Sequence, residues 1–175
     1  MKIDAKSMIL VALFSALTAV GAVIRIPIPF SPIPITLQVL FVLLSGALLG
    51  ANLGALSQLI YIFLGCLGLP VFAGGSGMGV LVGPTGGYIF GFILAAYVVG
   101  KLVENKNNLS YFRIFLTLMV GVLIIYLVGA FQLMLVAKLD FTRAILGGVI
   151  PFIGPDIVKA FLATFLTKKV KPIVG

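Results

Sequence analysis

Residues 70–91 read PVFAGGSGMGVLVGPTGGYIFG. The stretch holds eight of the chain's 21 glycines, carries no charge and lies between two long apolar runs. In a water-soluble protein it would be a flexible linker. Here 62% of the 175 residues are hydrophobic, 9% are charged and the mean hydropathy is +1.31. A soluble domain is about 25% charged, so this composition requires an integral membrane protein. Bare backbone at membrane depth is tolerated only where protein buries it or where it lines a watery cavity. Two readings of 70–91 follow. One is a plain surface loop. The other is a lid or lining of a small-molecule site, whose glycines let the backbone take positive φ and approach a ligand closely.

Working outward, the apolar runs count to six spans in a single transmembrane domain covering 1–175. They lie at about 8–24, 37–49, 53–67, 86–100, 114–136 and 151–167. The first follows Lys2, Asp4 and Lys6. It is long for the apolar part of a signal peptide and precedes no clear small-residue cleavage site, so a mature helix is expected. After Arg25 comes IPIPFSPIPIT, with prolines at 27, 29, 32 and 34. Proline fixes φ and lacks an N–H, which makes this a stiff extended connection. Thr36 is expected to cap the second span, with Gln38 in its first turn. A tight turn near 50–52 follows, and Asn52 and Gln58 read as interhelical hydrogen-bonding groups. The fourth span opens at PTGGY, residues 84–88, where helix N-terminal N–H groups reach the edge of the cavity. Residues 102–113 form a polar loop, and 141–150 a short interfacial helix.

Six spans put both termini on one side. That side carries Lys2, Lys6, Lys101, Lys106, Arg113, Lys168, Lys169 and Lys171, and the other carries Arg25, Lys138 and Arg143. The excess of basic residues marks the cytoplasmic face, so both termini are expected in the cytoplasm. The net charge of +8 is thereby a topology signal and not a nucleic-acid surface.

Two charged residues fall inside a span, Asp156 and Lys159, three apart in PFIGPDIVKA and thus on one helix face. Charge at that depth is costly and faces a cavity or another charge. The pair is either a self-neutralising structural ion pair or the polar floor of a ligand site. Other chemistry is scarce. The chain has no histidine and one cysteine, Cys66, which excludes an internal disulfide and argues against a histidine- or cysteine-based metal site. No phosphate-binding G-x-x-x-x-G-K motif is present, so active transport would need a partner's energy or an ion gradient. A serine–lysine hydrolase is conceivable, but Ser45, Ser57 and Ser76 bear no sequence relation to Lys159. A stand-alone carrier or channel is a further alternative, though no inverted repeat supports it.

The chain resembles the BioY proteins, biotin-specific substrate components (S-components) of energy-coupling factor (ECF) transporters. The resemblance rests on five features in order. These are an Ala-x-x-x-Ala step in the first span, the PIPFSPIPITLQ connection, PVFAGGSGMGVLVGPTGGY, the GF that follows it, and PF-x-x-x-D-x-x-K. It implies an all-α six-helix S-component bundle in a prokaryotic plasma membrane, with a vitamin pocket opening outward. Asp156 and Lys159 match the polar pair that would hold the ureido ring or the carboxylate of biotin. Phe72, Gly74, Gly75, Gly77 and Tyr88 match the loop and helix start that would cover or line the pocket, and Gln38 matches the TLQ position. Ala12 and Ala16 match the small-residue face presented to a transmembrane coupling protein, which joins two ABC-type ATPases. The resemblance implies no cofactor and no catalysis by this chain, ATP being used by the partners. Met78 departs from the glycine favoured at its position; a stiffer loop or narrower entrance is implied, with the substrate unchanged.

Overall fold

The computed structural model describes residues 4–104 and 109–174; Lys2 and Lys106 of the charge count lie outside them. The described residues are mostly helical. In order the elements are α1 (Ala5–Val23), β1 (Arg25–Ile26), β2 (Ile35–Thr36), α2 (Gln38–Leu49), α3 (Ala51–Cys66), α4 (Met78–Val82), α5 (Gly86–Val103), α6 (Tyr111–Val136), α7 (Phe141–Gly148) and α8 (Ile150–Val174). Four helices are long and apolar enough to cross a bilayer: α1, α5, α6 and α8. The expected second and third spans are shorter, with 12 residues in α2 and 16 in α3. At about 1.5 Å per residue they reach roughly 18 and 24 Å, less than a hydrocarbon core of about 30 Å.

The helices close because glycines remove side chains where backbones meet. A Cβ on Gly46 would strike the backbone of Ala96 in α5, one on Gly54 would come within 2.9 Å of Gly46, and one on Gly100 would strike Ala51. Small residues permit this approach between membrane helices, where dispersion and interhelical hydrogen bonds replace the hydrophobic effect. The turn between α2 and α3 is the single residue Gly50, at φ 81°. Gln58 makes the expected interhelical bond, its Nε2 donating to Ser45 Oγ at 3.1 Å, whereas Asn52 is exposed.

Hydrogen bonds define the two ends of the bundle. At one end, the Ser31 hydroxyl donates to the Gly147 carbonyl (2.7 Å), the Tyr88 hydroxyl to the Gly148 carbonyl (2.8 Å), and the Arg25 guanidinium to the Ala73 carbonyl. At the other, Ala51 N–H donates to the Glu104 carboxylate (3.0 Å), Lys171 to the Val103 carbonyl (2.6 Å) and Lys168 to the Leu109 carbonyl (2.8 Å). The proline-rich connection and the glycine-rich stretch therefore meet at the same end.

Three local expectations need adjusting. Arg25 does not end α1, which stops at Val23; it starts a two-residue ladder in which Arg25 faces Thr36 and Ile26 faces Ile35. Thr36 does not occupy the cap of α2. Leu37 does, and the Thr36 hydroxyl accepts instead from Gln38 N–H at 3.3 Å. The glycine-rich stretch, expected to be loop throughout, contains a helix, α4. Its lone buried residue, Leu81, joins the core, and Gln132 of α6 donates to the carbonyls of Leu81 (2.7 Å) and Gly83 (2.9 Å).

Candidate functional site

A cavity of about 50 Å³ lies inside the end where the two loops meet. Its walls are mainly apolar, with Ile33, Val39, Ile89, Phe92, Ile125 and Phe152 among them, and its polar groups are Thr36, Gln38, Thr85, Tyr88, Tyr126, Asp156 and Lys159. Outside it a recess of about 320 Å³ is bounded by Arg25, Ser31, Gly74 and the proline-rich connection. Pro34, Ala73 and Thr85 line both, so the recess is a vestibule to the inner cavity. Binding pockets of roughly 300–1,000 Å³ hold small organic ligands. The inner chamber alone is smaller than this, and chamber and vestibule together reach the lower end of that range.

Asp156 and Lys159 are 2% and 5% exposed, which places them in the interior and not toward lipid. Lys159 Nζ donates to Asp156 Oδ1 at 2.6 Å. The other carboxylate oxygen accepts from the Tyr126 hydroxyl at 2.7 Å. The pair is thus neutralised, oriented from two sides and still open to the cavity. A carboxylate retains acceptor capacity after two bonds, and an ammonium retains two donors after one. The floor can therefore accept from ligand N–H groups and donate to a ligand carbonyl. Two prolines shape this part of α8. Pro151 sits at the start, where a missing N–H costs nothing. Pro155 removes the N–H that would have bonded the Pro151 carbonyl, one residue before Asp156.

Tyr88 lies on the wall where the sequence placed it. Its ring packs in a slot left by Gly129, and its hydroxyl is seated against Gly148. Gln38 also lines the cavity and is 4% exposed. Its Nε2 donates to the Tyr61 hydroxyl at 2.6 Å, and its Oε1 accepts from Thr36 at 3.2 Å.

The remaining predicted residues lie in the glycine-rich stretch on either side of Ala73, and Gly75 and Gly77 line neither space. Gly74 borders the vestibule. Gly75, at φ 128°, forms a small bridge with Phe72, each N–H donating to the other's carbonyl at 3.0 Å. Gly77, at φ 84°, donates to the Gly65 carbonyl at 2.8 Å. Those two backbone conformations favour glycine. Phe72 does not line either space. It points toward α3, 4% exposed, edge-on to Tyr61 with ring centroids 5.4 Å apart, and fills the gap above Gly65. Met78 is 60% exposed, opens α4 and borders neither the cavity nor the vestibule. Ala12 and Ala16 lie far from this site in the chain, both exposed on α1.

Sequence reasoning missed Tyr126, Thr36, Thr85 and Arg25 as site residues. A polar tyrosine inside an apolar span was the available signal for Tyr126. Arg25 is joined to the cover 48 positions away, and no local pattern announces that contact.

A helical membrane bundle with a covered, mostly apolar chamber and a buried ion pair in its floor defines a membrane-embedded small-molecule-binding protein. The BioY family model matches residues 1–175. A probable biotin transporter BioY of Pyrococcus horikoshii is 47% identical over 168 residues, covering 95% of this chain and 97% of that protein. A biotin transporter BioY of Thermotoga maritima is 42% identical, covering 96% and 97%. A crystal structure of the S-component for biotin from an ECF-type ABC transporter superposes with a TM-score of 0.87 at 27% identity, covering 95% of this chain and 91% of that one. The chain belongs to the BioY family.

Proposed function

We propose that this chain captures biotin from the outer face of a prokaryotic plasma membrane and delivers it through an ATP-driven ECF module. It is a substrate-binding subunit and not an enzyme. Hydrolysis of ATP falls to two ABC-type ATPases joined to it by a transmembrane coupling protein. The observation that carries the reading is the placement of Asp156, Lys159 and Tyr126 together in the floor of an otherwise apolar, covered chamber. A ureido ring offers two N–H donors and one carbonyl acceptor. The Asp156 carboxylate takes an N–H, Lys159 donates to the carbonyl, and the apolar walls take the fused ring. The aliphatic tail then runs past Pro34, Ala73 and Thr85 toward the vestibule, and Gln38 and Tyr88 complete the walls. Gly74, Gly75, Gly77 and the buried Phe72 shape the cover. No cofactor is needed for capture.

The same reading takes α2 and α3 as short spans, giving six crossings. Basic residues at the end away from the cavity then include Lys6, Lys101, Arg113, Lys168, Lys169 and Lys171, against Arg25, Lys138 and Arg143 at the cavity end. By the positive-inside rule both termini are cytoplasmic and the cavity opens outward. Ala12 and Ala16 provide a close-approach surface for the coupling protein. Titration calorimetry on purified protein tests the central part. Saturable binding of about one biotin per chain is expected, and absence of binding would overturn the assignment.

A further inference from the structure

We propose that Tyr61 is a positioning residue that fastens the ligand-facing wall to the glycine-rich cover and thereby sets how fast bound ligand leaves. The proposal rests on the biotin reading of the site. Tyr61 is fully buried at 0% exposure and does not border the cavity. Its hydroxyl accepts from Gln38 Nε2 at 2.6 Å and donates to the Val71 carbonyl at 3.2 Å. Gln38 is held in turn by Thr36, and both face the cavity. Val71 is two residues before Ala73, which forms part of the cavity's rim. A single phenol oxygen therefore spans from the wall to the root of the cover.

The ring of the same tyrosine works in the same place. Phe72 packs edge-on against it and sits over Gly65, and one turn beyond Tyr61 the Gly65 carbonyl holds Gly77 N–H. The cover is thus clipped to the last turns of α3 through Val71, Phe72 and Gly77. A ligand touching Gln38 and Ala73 together sits on both ends of the Tyr61 link. Removing the hydroxyl while keeping the ring leaves the Gln38 amide and the Val71 carbonyl each short of a buried partner, and the packing on Phe72 stays. Outward opening of the cover then becomes easier, while the floor that recognises the head group is untouched. The prediction is a dissociation effect with little change in association.

The test compares wild-type protein and Tyr61→Phe in nanodiscs, loaded with tritiated biotin and chased with unlabelled biotin. Dissociation from Tyr61→Phe should be at least roughly tenfold faster, as loss of the two hydrogen bonds of the buried hydroxyl implies, with association within about twofold. Adding Tyr61→Phe to Gln38→Met should accelerate dissociation far less than it does alone, because the link is already cut. An unchanged dissociation rate, or an equal loss in association, overturns the proposal. Should Tyr61→Phe fail to fold, hydrogen exchange on the wild type decides. Saturating biotin must slow exchange at the amides of residues 71–77, and unchanged protection there overturns the proposal. Failure of the wild type to bind biotin at all would instead overturn the functional reading of the site.

Discussion

Replacing the buried pair tests whether it is architecture or recognition. Asp156→Ala strands Lys159 in an apolar wall at 5% exposure, and Lys159→Ala strands the carboxylate with only Tyr126 for company. Removing one member of a buried ion pair costs about 3–5 kcal/mol. Each single variant should therefore unfold more readily and also bind poorly. That result alone would not separate the two roles. The discriminating variant is Asp156→Leu, Lys159→Met and Tyr126→Phe combined, which replaces every member of the polar triad with an apolar group of similar shape. Apolar replacement of buried pairs is neutral or stabilising by about 1–4 kcal/mol, so stability should return to the wild-type value or exceed it. Biotin binding should not return. Each charge-assisted hydrogen bond lost is worth about 1.5–3 kcal/mol, or roughly 10- to 100-fold in affinity. Detergent-titrated unfolding and calorimetry on the same preparations give both readings. Near wild-type biotin affinity in the stable triple variant would refute the reasoning and leave the pair a structural device.

Four further outcomes are expected. Tyr126→Phe frees one Asp156 oxygen from its orienting donor, and calorimetry should show about tenfold weaker biotin binding with the fold intact. Gly65→Ala places a methyl group inside the Phe72 ring; it should displace Phe72, and faster biotin dissociation with increased proteolysis of residues 70–77 checks it. Glu104 is held below the ordinary carboxylate range, chiefly by the Ala51 N–H it accepts and also by Lys101. A depressed folded-state pKa adds stability above the unfolded value of about 4.3 that is lost as pH falls through the folded value. Acid unfolding of Glu104→Gln should accordingly show a weaker pH dependence below about pH 4.3. Ala12→Leu with Ala16→Leu should leave biotin binding intact, because both residues face outward on α1, and should abolish co-purification with the coupling module.

The physical cost of a charge in an apolar span made Asp156 and Lys159 legible from sequence, and the structure puts both in one cavity wall. Helix starts were legible where the chain breaks regular structure: Gly86 begins α5 directly after Pro84-Thr85, and the glycine turn at 50 separates α2 from α3. What escaped was set by contacts distant in sequence. The family resemblance puts Phe72 in the loop that would cover or line the pocket, yet Gly65 opens a slot that draws it toward α3. Tyr61 and Tyr126 each sit in an apolar helix, and only the approach of Gln38 and Val71 to one and of Asp156 to the other gives their hydroxyls a purpose. The helix α4 is too short for a periodic signal and owes its position to Leu81 and Gln132.

The most direct measurement is a structure of the protein crystallised with biotin. Ureido nitrogen and oxygen atoms are expected within about 3.2 Å of Asp156 and Lys159, with the tail directed past Ala73. Biotin bound elsewhere, with the chamber floor still closed on itself, would contradict this.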